Sequence, residues 1–202
     1  MIARSFAFVG VLYATYSAFG QTPPTNLPPA TPGVFSAQSS IIIDGPIETV
    51  WSALLDFPAY PNWNPFVRWV HSLHRILLEA LTDQTPHENL RLIIAAQIPP
   101  LPTPVDASTP PNLLHAQLSF ENITAVDTAQ HRVAWKEIMI PAPLLSAERW
   151  QALSVVNGNQ TFYEAREVFG GPVGYVVDAL FAQGLQAGFD AQAEALKELV
   201  ER

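Results

Sequence analysis

The sequence contains no cysteine among its 202 residues, and only 14% of the residues are charged. The lack of cysteine excludes disulfide bonds, zinc sites built on thiolates and cysteine nucleophiles. Basic residues are also scarce, since 10 Lys and Arg stand against 18 Asp and Glu, giving a net charge of −8. A phosphate backbone repels such a chain, so no nucleic-acid partner is expected.

Hydrophobic residues make up 49% of the chain, which is enough for one domain with a sizeable core. The chain nevertheless contains 19 prolines, and 11 of them fall within residues 21–33 and 99–111. Proline lacks the N–H group that helices and sheets need. We therefore interpret residues 21–33 as a Pro-rich extended linker, residues 99–111 as a long loop, and residues 34–202 as the folded domain.

Residues 1–20 have the layout of a secretory signal peptide. Arg4 precedes an apolar stretch from Phe6 to Phe19, and Ala18 and Gly20 are small residues before a cut at Gln21. The stretch is short for a bilayer span, which needs roughly 20 residues, so no stable membrane span is expected. A short anchor or a misassigned start are the alternatives.

Two N-glycosylation sequons, at Asn122 and Asn159, also fit a secreted protein. We therefore expect the protein to be secreted or to enter the secretory pathway, and to be a glycoprotein.

Apolar periodicity and turn residues predict a first strand, two short helices that begin near Pro46 and Pro58, five further strands and a last long helix. The segment Val67–Leu81 stays open, because its spacing suits a helix and its β-branched start suits a strand. The predicted strands are 35–43, 90–98, 114–126, 132–140, 150–156 and 160–169, and the last helix spans about 172–200.

This element order is typical of an α+β fold. Consecutive strands joined by turns form an antiparallel sheet, and the amphipathic C-terminal helix has to cover one of its faces. A curved sheet that grips one long helix encloses space between the two. What fills that space decides the function.

Two segments carry a family resemblance: IDGPIETVWSALLDFPAYPNWNPFV (43–67) and REVFGGPVGYVVDALF (166–181). Together with the layout they resemble the SRPBCC superfamily, above all its small fungal members. That superfamily includes START lipid-transfer domains, Bet v 1 allergens, coenzyme Q-binding proteins and polyketide cyclases. The resemblance implies a helix-grip fold: a curved antiparallel sheet wrapped around one long C-terminal helix, with two short helices after the first strand.

The resemblance also implies a cavity between the sheet and the helix that binds a small hydrophobic molecule, such as a lipid, a sterol or a polyketide-like metabolite. A cyclase or dehydratase acting on a secondary metabolite in the same cavity is the alternative. The superfamily has no universal catalytic motif. The residues therefore leave open whether a reaction is catalysed, and they do not indicate an oligomeric state.

Six residues are candidates for ligand binding. Strand alternation places Tyr163 and Glu167 on one face, where a Glu167 buried in an apolar cavity would have a raised pKa and could exchange a proton. An ion pair or solvent exposure is the alternative for Glu167. Trp135 could stack on a flat ligand or serve only as a core residue. Trp63 and Asn64 could line the cavity mouth, or Trp63 could merely plug the domain and Asn64 cap a turn. Trp69 is the sixth candidate for ligand binding.

Arginines could anchor a ligand carboxylate or enolate through their planar donors, or could form surface ion pairs; the candidates are Arg68, Arg91 and Arg166. His71 and His74 would share a face on a helix but not on a strand, and no metal motif accompanies them. No metal site and no cofactor are expected, since nucleophile-elbow, dinucleotide and phosphate-loop motifs are also missing. Three glycines of the last helix could leave room for a ligand: Gly174, Gly184 and Gly188.

Overall fold

The computed structural model describes residues 23–73 and 80–202. The proposed leader over residues 1–20 and one histidine of the pair, His74, lie outside the described residues. Within the described residues, no helix is both long and apolar enough to cross a bilayer.

The described residues form seven strands, two α-helices and one 3₁₀ helix in the predicted order. Their bounds are β1 Phe35–Ile43, α1 Ile47–Leu55, the 3₁₀ helix Phe57–Asn62, β2 Val67–Leu73, β3 Arg91–Gln97, β4 Ala116–Asp127, β5 Arg132–Glu137, β6 Ser146–Val156, β7 Gln160–Gly170 and α2 Gly174–Val200.

The seven strands form one antiparallel sheet in the order β1-β7-β6-β5-β4-β3-β2. Strands β2 to β7 therefore follow one another as a meander, and β1 closes the sheet beside β7. Helix α2 covers one face, as the predicted α+β helix-grip architecture requires. Short connections between neighbouring strands make this the simplest arrangement of the predicted elements.

The two halves of α2 are in different environments. In the second half, Phe189, Ala193 and Leu196 are almost fully buried against the sheet. In the first half, Tyr175 and Leu180 are 68% and 69% exposed. The helix is about 40 Å long at roughly 1.5 Å per residue.

The structure assigns the ambiguous segment and moves two strand bounds by three residues or more from the sequence prediction. The ambiguous segment is a strand over Val67–Leu73, which places His71 in a strand. Strand β5 ends at Glu137 rather than at residue 140, and β6 begins at Ser146 rather than at Trp150. The earlier start of β6 matters most, because it brings Arg149 into the sheet.

Residues 23–33 have no regular secondary structure, but they are hydrogen-bonded to the sheet and do not behave as a free linker. The side chain of Asn26 accepts two hydrogen bonds from Arg132, at 3.0 and 2.7 Å, and its backbone N–H donates to Glu164 at 2.8 Å. Arg166 donates to a backbone carbonyl of the same segment. Glu164 and Arg166 alternate along β7 with the residues that face α2, so this segment crosses the opposite face of the sheet.

Replacing Asn26→Ala should lower the free energy of unfolding by about 1–3 kcal/mol, because Arg132 and the carbonyl of Leu153 would lose their partners. Urea denaturation of the purified protein measures the change in the free energy of unfolding. Thr31→Ala, an exposed position of the same segment, is the matched control and should change the midpoint little. Equal midpoints for the two variants would mean that the hydrogen bonds of the Asn26 side chain add nothing to stability.

Candidate functional site

A cavity of about 290 Å³ lies between the concave face of the sheet and the first half of α2. This volume is at the lower end of the range of roughly 300–1,000 Å³ found for small-molecule pockets. Most of its walls are apolar. The apolar side chains that line it are Phe66, Val67, Ile94, Ala96, Ile98, Leu118, Trp135, Met139, Ile140, Leu145, Ala147, Phe169, Val177, Phe181 and Leu185.

The cavity has an open side between β4, the β5–β6 connection and α2. Leu118 and Met139 both line the cavity and are 57% and 59% exposed. Leu180, on the neighbouring turn of α2, is also exposed. An apolar molecule can therefore enter beside hydrophobic side chains rather than through a polar surface.

Three carboxylates and one guanidinium also line the cavity: Glu121, Glu137, Glu167 and Arg149. The sheet register explains how they come together. Glu121 of β4 lies directly opposite Glu137 of β5, and Arg149 of β6 lies directly opposite Glu167 of β7. Side chains that are paired across antiparallel strands point to the same face, with their Cβ atoms about 4.5–5.5 Å apart.

Arg149 is 4% exposed and is surrounded by aromatic rings. Its guanidinium carbon lies 4.1 Å from the ring centroid of Phe189, 5.5 Å from that of Phe66 and 5.8 Å from that of Trp135. Its Nη2 donates to Gln192 of α2 at 3.1 Å. The cation is thus stabilised by ring faces and one amide rather than by a hydrogen-bonded carboxylate.

Below Arg149, a buried polar network joins the sheet to α2. The hydroxyl of Tyr163 donates to Gln151 at 2.6 Å, and the amide of Gln192 donates to Gln151 at 3.0 Å. All three residues are at most 1% exposed. The network fixes Gln192, which in turn holds the guanidinium of Arg149 at the base of the cavity.

Burial raises the pKa of Glu167 to about 7, although the positive charge of Arg149 partly opposes the rise. Glu167 keeps some accessible surface because it faces the cavity, yet protein surrounds it. Burial also raises the pKa of Glu121 well above its ordinary value, and the negative charges of Glu167 and Glu137 add to that rise. At neutral pH the cavity can therefore hold a proton on its carboxylates.

Backbone groups of the β5–β6 connection hold the carboxylate of Glu137. Its Oε1 atom accepts hydrogen bonds from the backbone N–H groups of Met139 and of Ile140, the latter at 2.9 Å. Its Oε2 atom is buried and has no hydrogen-bond partner among the described residues. The register thus places Glu121 and Glu137 in directly opposed positions, and one buried oxygen of Glu137 has no partner among the described residues.

Among the six predicted site residues, Trp135 and Glu167 line the cavity. Tyr163 shares the face of Glu167, but it lies deeper, in the buried network below Arg149. Whether Trp135 and Glu167 bind a ligand stays a prediction.

The other three predicted residues lie away from the cavity walls. Trp63 is 4% exposed and packs edge-on against Tyr60, as a plug would. Asn64 is fully buried, and its Oδ1 accepts hydrogen bonds from the backbone of Phe66 and of Val67. Trp69 is half-buried beside His71. The geometry of Trp63 fits the alternative role of a plug, and the geometry of Asn64 fits the alternative role of a turn cap.

None of the three candidate arginines lines the cavity. Arg68 donates to the backbone carbonyls of Asn64 and Asp106, so it ties the 99–111 loop to β2, and burial lowers its pKa. Arg91 begins β3, away from the cavity, and has a partner elsewhere. Arg166 binds the N-terminal segment. The arginine of the cavity is Arg149, which the sequence analysis missed.

The glycines of α2 make room for side chains rather than for a ligand. A Cβ atom at Gly188 would lie 2.5 Å from the ring of Phe66, and one at Gly184 would lie 2.7 Å from Ile98. One at Gly174 would lie 3.2 Å from Val34. These close contacts let Phe66 and Ile98 form the cavity wall directly under the helix.

The described residues contain no cluster of His, Asp and Glu that could hold a metal ion. The sequon residue Asn122 is half-buried in β4, where its amide donates to the carbonyl of Ile123 at 3.1 Å. Asn159 is exposed at the turn between β6 and β7. Glycosylation at either position stays a prediction.

No protein-family model and no curated protein matches the chain. Solved structures do resemble it. A START superfamily protein from Mycobacterium smegmatis superposes with a TM-score of 0.51 and 16% identity over 82% of this chain and 97% of the other. The Zhui aromatase/cyclase from a Streptomyces species gives 0.50 and 14% over 83% and 94%.

A point mutant of norcoclaurine synthase from Thalictrum flavum, in complex with a transition-state analogue, gives a TM-score of 0.52 and 12% identity over 83% of this chain and 94% of the other. The chain has the α+β helix-grip fold that these structures share. The predicted fold class is thereby confirmed. At these identities the likeness concerns the architecture alone, so the function has to be argued from the cavity of this chain.

Replacing Glu167→Gln should change how stability depends on pH. The ordinary glutamate pKa is 4.5 and the folded-state value is about 7, so the folded protein loses stability as pH rises through this interval. In the variant, the loss between pH 5 and pH 8 should be smaller by about 1–3 kcal/mol.

Urea denaturation at both pH values measures this difference. Glu194→Gln, at an exposed position of α2, serves as the control. An unchanged pH dependence in Glu167→Gln would show that burial does not raise the pKa of this carboxyl group.

Proposed function

We propose that this protein binds a small hydrophobic molecule in the cavity between the sheet and the first half of α2. The observation that carries the proposal is the cavity itself, about 290 Å³ in volume, with mostly apolar walls and an apolar open side. A core that served stability alone would be filled by side chains, because an empty apolar cavity destabilises a domain. The START superfamily and aromatase/cyclase neighbours support the proposal at the level of the fold.

Filling the cavity tests the proposal. Ala96 lines the cavity from β3 and is half-buried, so Ala96→Phe places a ring in the empty volume. Ala179→Phe puts the same ring on an exposed position of α2. The neutral dye N-phenylnaphthylamine becomes fluorescent in apolar surroundings, and its titration reports the affinity.

We expect Ala96→Phe to weaken dye binding at least about tenfold, which corresponds to roughly 1.4 kcal/mol, and Ala179→Phe to leave it unchanged. Circular dichroism of both variants checks that the fold is retained. Equal dye binding by the two variants would place the dye elsewhere and would refute the proposal.

Acid–base catalysis in the same cavity is the second candidate function, and the raised pKa of Glu167 is the observation that favours it. A carboxyl group that titrates near neutral pH can both take up and return a proton. Glu167 also borders the apolar volume where a bound ketone would lie. Its carboxylate could remove a proton from a carbon next to a carbonyl, as cyclase and dehydratase reactions require.

Exchange of the acidic C–H protons of β-tetralone in heavy water tests this second function. Wild-type protein should accelerate deuterium incorporation. Glu167 removes a proton from the carbon, the carboxyl proton exchanges with heavy water, and Glu167 then returns a deuteron to the carbon. Glu167→Gln should lower the accelerated rate by about 10²-fold, and Glu194→Gln should not. If Glu167→Gln exchanges as fast as the wild type, Glu167 is not the base.

A further inference from the structure

The charged groups of the cavity do not balance. Three carboxylates line it from β4, β5 and β7, against a single guanidinium from β6. The lining residues that β3 and α2 contribute are apolar: Ile94, Ala96, Val177, Phe181 and Leu185. With all four groups ionised, the described wall has a formal charge of −2.

The guanidinium of Arg149 offsets only part of the negative charge of the carboxylate pair: it lowers the pKa of Glu121, but less than burial and the charge of Glu167 raise it. It lies over three aromatic rings and donates to Gln192. Its cross-strand neighbours are Trp135 on one side and Glu167 on the other, so the register places it beside Glu167 rather than beside Glu121 and Glu137.

Glu121 and Glu137 therefore lie directly opposite each other with no base between them in the register. Like charges in directly opposed positions destabilise a sheet. Glu121 is 6% exposed, and Oε2 of Glu137 is buried with no donor among the described residues. A positive charge or a strong hydrogen-bond donor on a ligand would relieve this repulsion and satisfy the free acceptor.

From this arrangement we infer that the ligand is an apolar molecule that carries a basic nitrogen, bound as the ammonium ion beside Glu121 and Glu137. The inference rests on the proposed ligand-binding function and names the class of ligand. The ammonium group displaces the proton that the carboxylates otherwise retain, and the apolar part lies against the walls towards Leu118 and Met139. An ammonium beside carboxylates in apolar surroundings gains more than it would in water.

Three probes with one carbon skeleton separate the possible chemistries: naphthylethylamine, naphthylethanol and naphthylacetic acid. Isothermal titration calorimetry at pH 8 measures the affinity of the wild-type protein for each. We expect the amine to bind at least about tenfold more tightly than the alcohol, and the acid to bind most weakly.

The double variant Glu121→Gln, Glu137→Gln should lower the amine affinity to that of the alcohol and leave the alcohol affinity unchanged. Glu194→Gln, which removes one exposed carboxylate, should not change the preference. Removing the opposed charges should not lower the thermal midpoint, and a thermal melt checks this.

The pH dependence of the wild-type protein gives a second measurement that needs no variant. Burial and neighbouring negative charges raise the pKa of Glu121, and burial raises that of Glu167. Between pH 5 and pH 8 Glu167, whose pKa is about 7, loses its proton, so the ratio of amine to alcohol affinity should increase. Titration in two buffers of different ionisation enthalpy should show proton release when the amine binds near pH 7.

Each contrary result has its own meaning. If the alcohol binds and the amine binds no more tightly, the basic-nitrogen inference is wrong while the ligand-binding function stands. Tightest binding of the acid would make Arg149, whose Nε has no partner among the described residues, the polar anchor instead. If neither the three probes nor the neutral dye binds, the proposed function itself fails.

Discussion

The guanidinium of Arg149 connects the core of this domain with its cavity. It lies against the rings of Phe66, Trp135 and Phe189, which come from the chain before β2, from β5 and from α2. Gln192 anchors it to the buried network below. Because this charged group contacts both the sheet and the helix, the packing of α2 at this point and the electrostatics of the cavity share one contact.

The chemistry of the cavity depends on carboxyl groups whose ionisation is opposed by burial. Protein surrounds Glu167, so ionising its carboxyl group is unfavourable, and its pKa rises to about 7. Glu121 and Glu137 face each other without a base of their own. Such an arrangement lowers the stability of the folded domain. Perturbed carboxyl groups that converge in a cavity are a feature of functional sites, and this opposition of burial to ionisation makes the cavity responsive both to pH and to the charge of a ligand.

The sequence predicted the architecture well but the site only in part. Strand alternation correctly placed Glu167 and Tyr163 on one face. It missed Arg149, because the predicted strand began at Trp150, one residue too late to assign that side chain a face. If the predicted strand had begun at Ala147, alternation would have placed Arg149 on the same face as Gln151. Proline content suggested a linker over residues 21–33, since composition carries no information on the bonds that Asn26 makes to distant strands.

The sequence by itself determined the class of fold, because periodicity and turn residues act over a few neighbouring positions and are readable along the chain. It also determined that the domain is acidic and free of thiol chemistry. Only the tertiary structure decided that Glu121 lies opposite Glu137 and that Arg149 lies among aromatic rings. These pairings join residues from separate strands, and strand register fixes them through the packing of the whole sheet against α2. The character of the cavity is therefore a property of the folded chain.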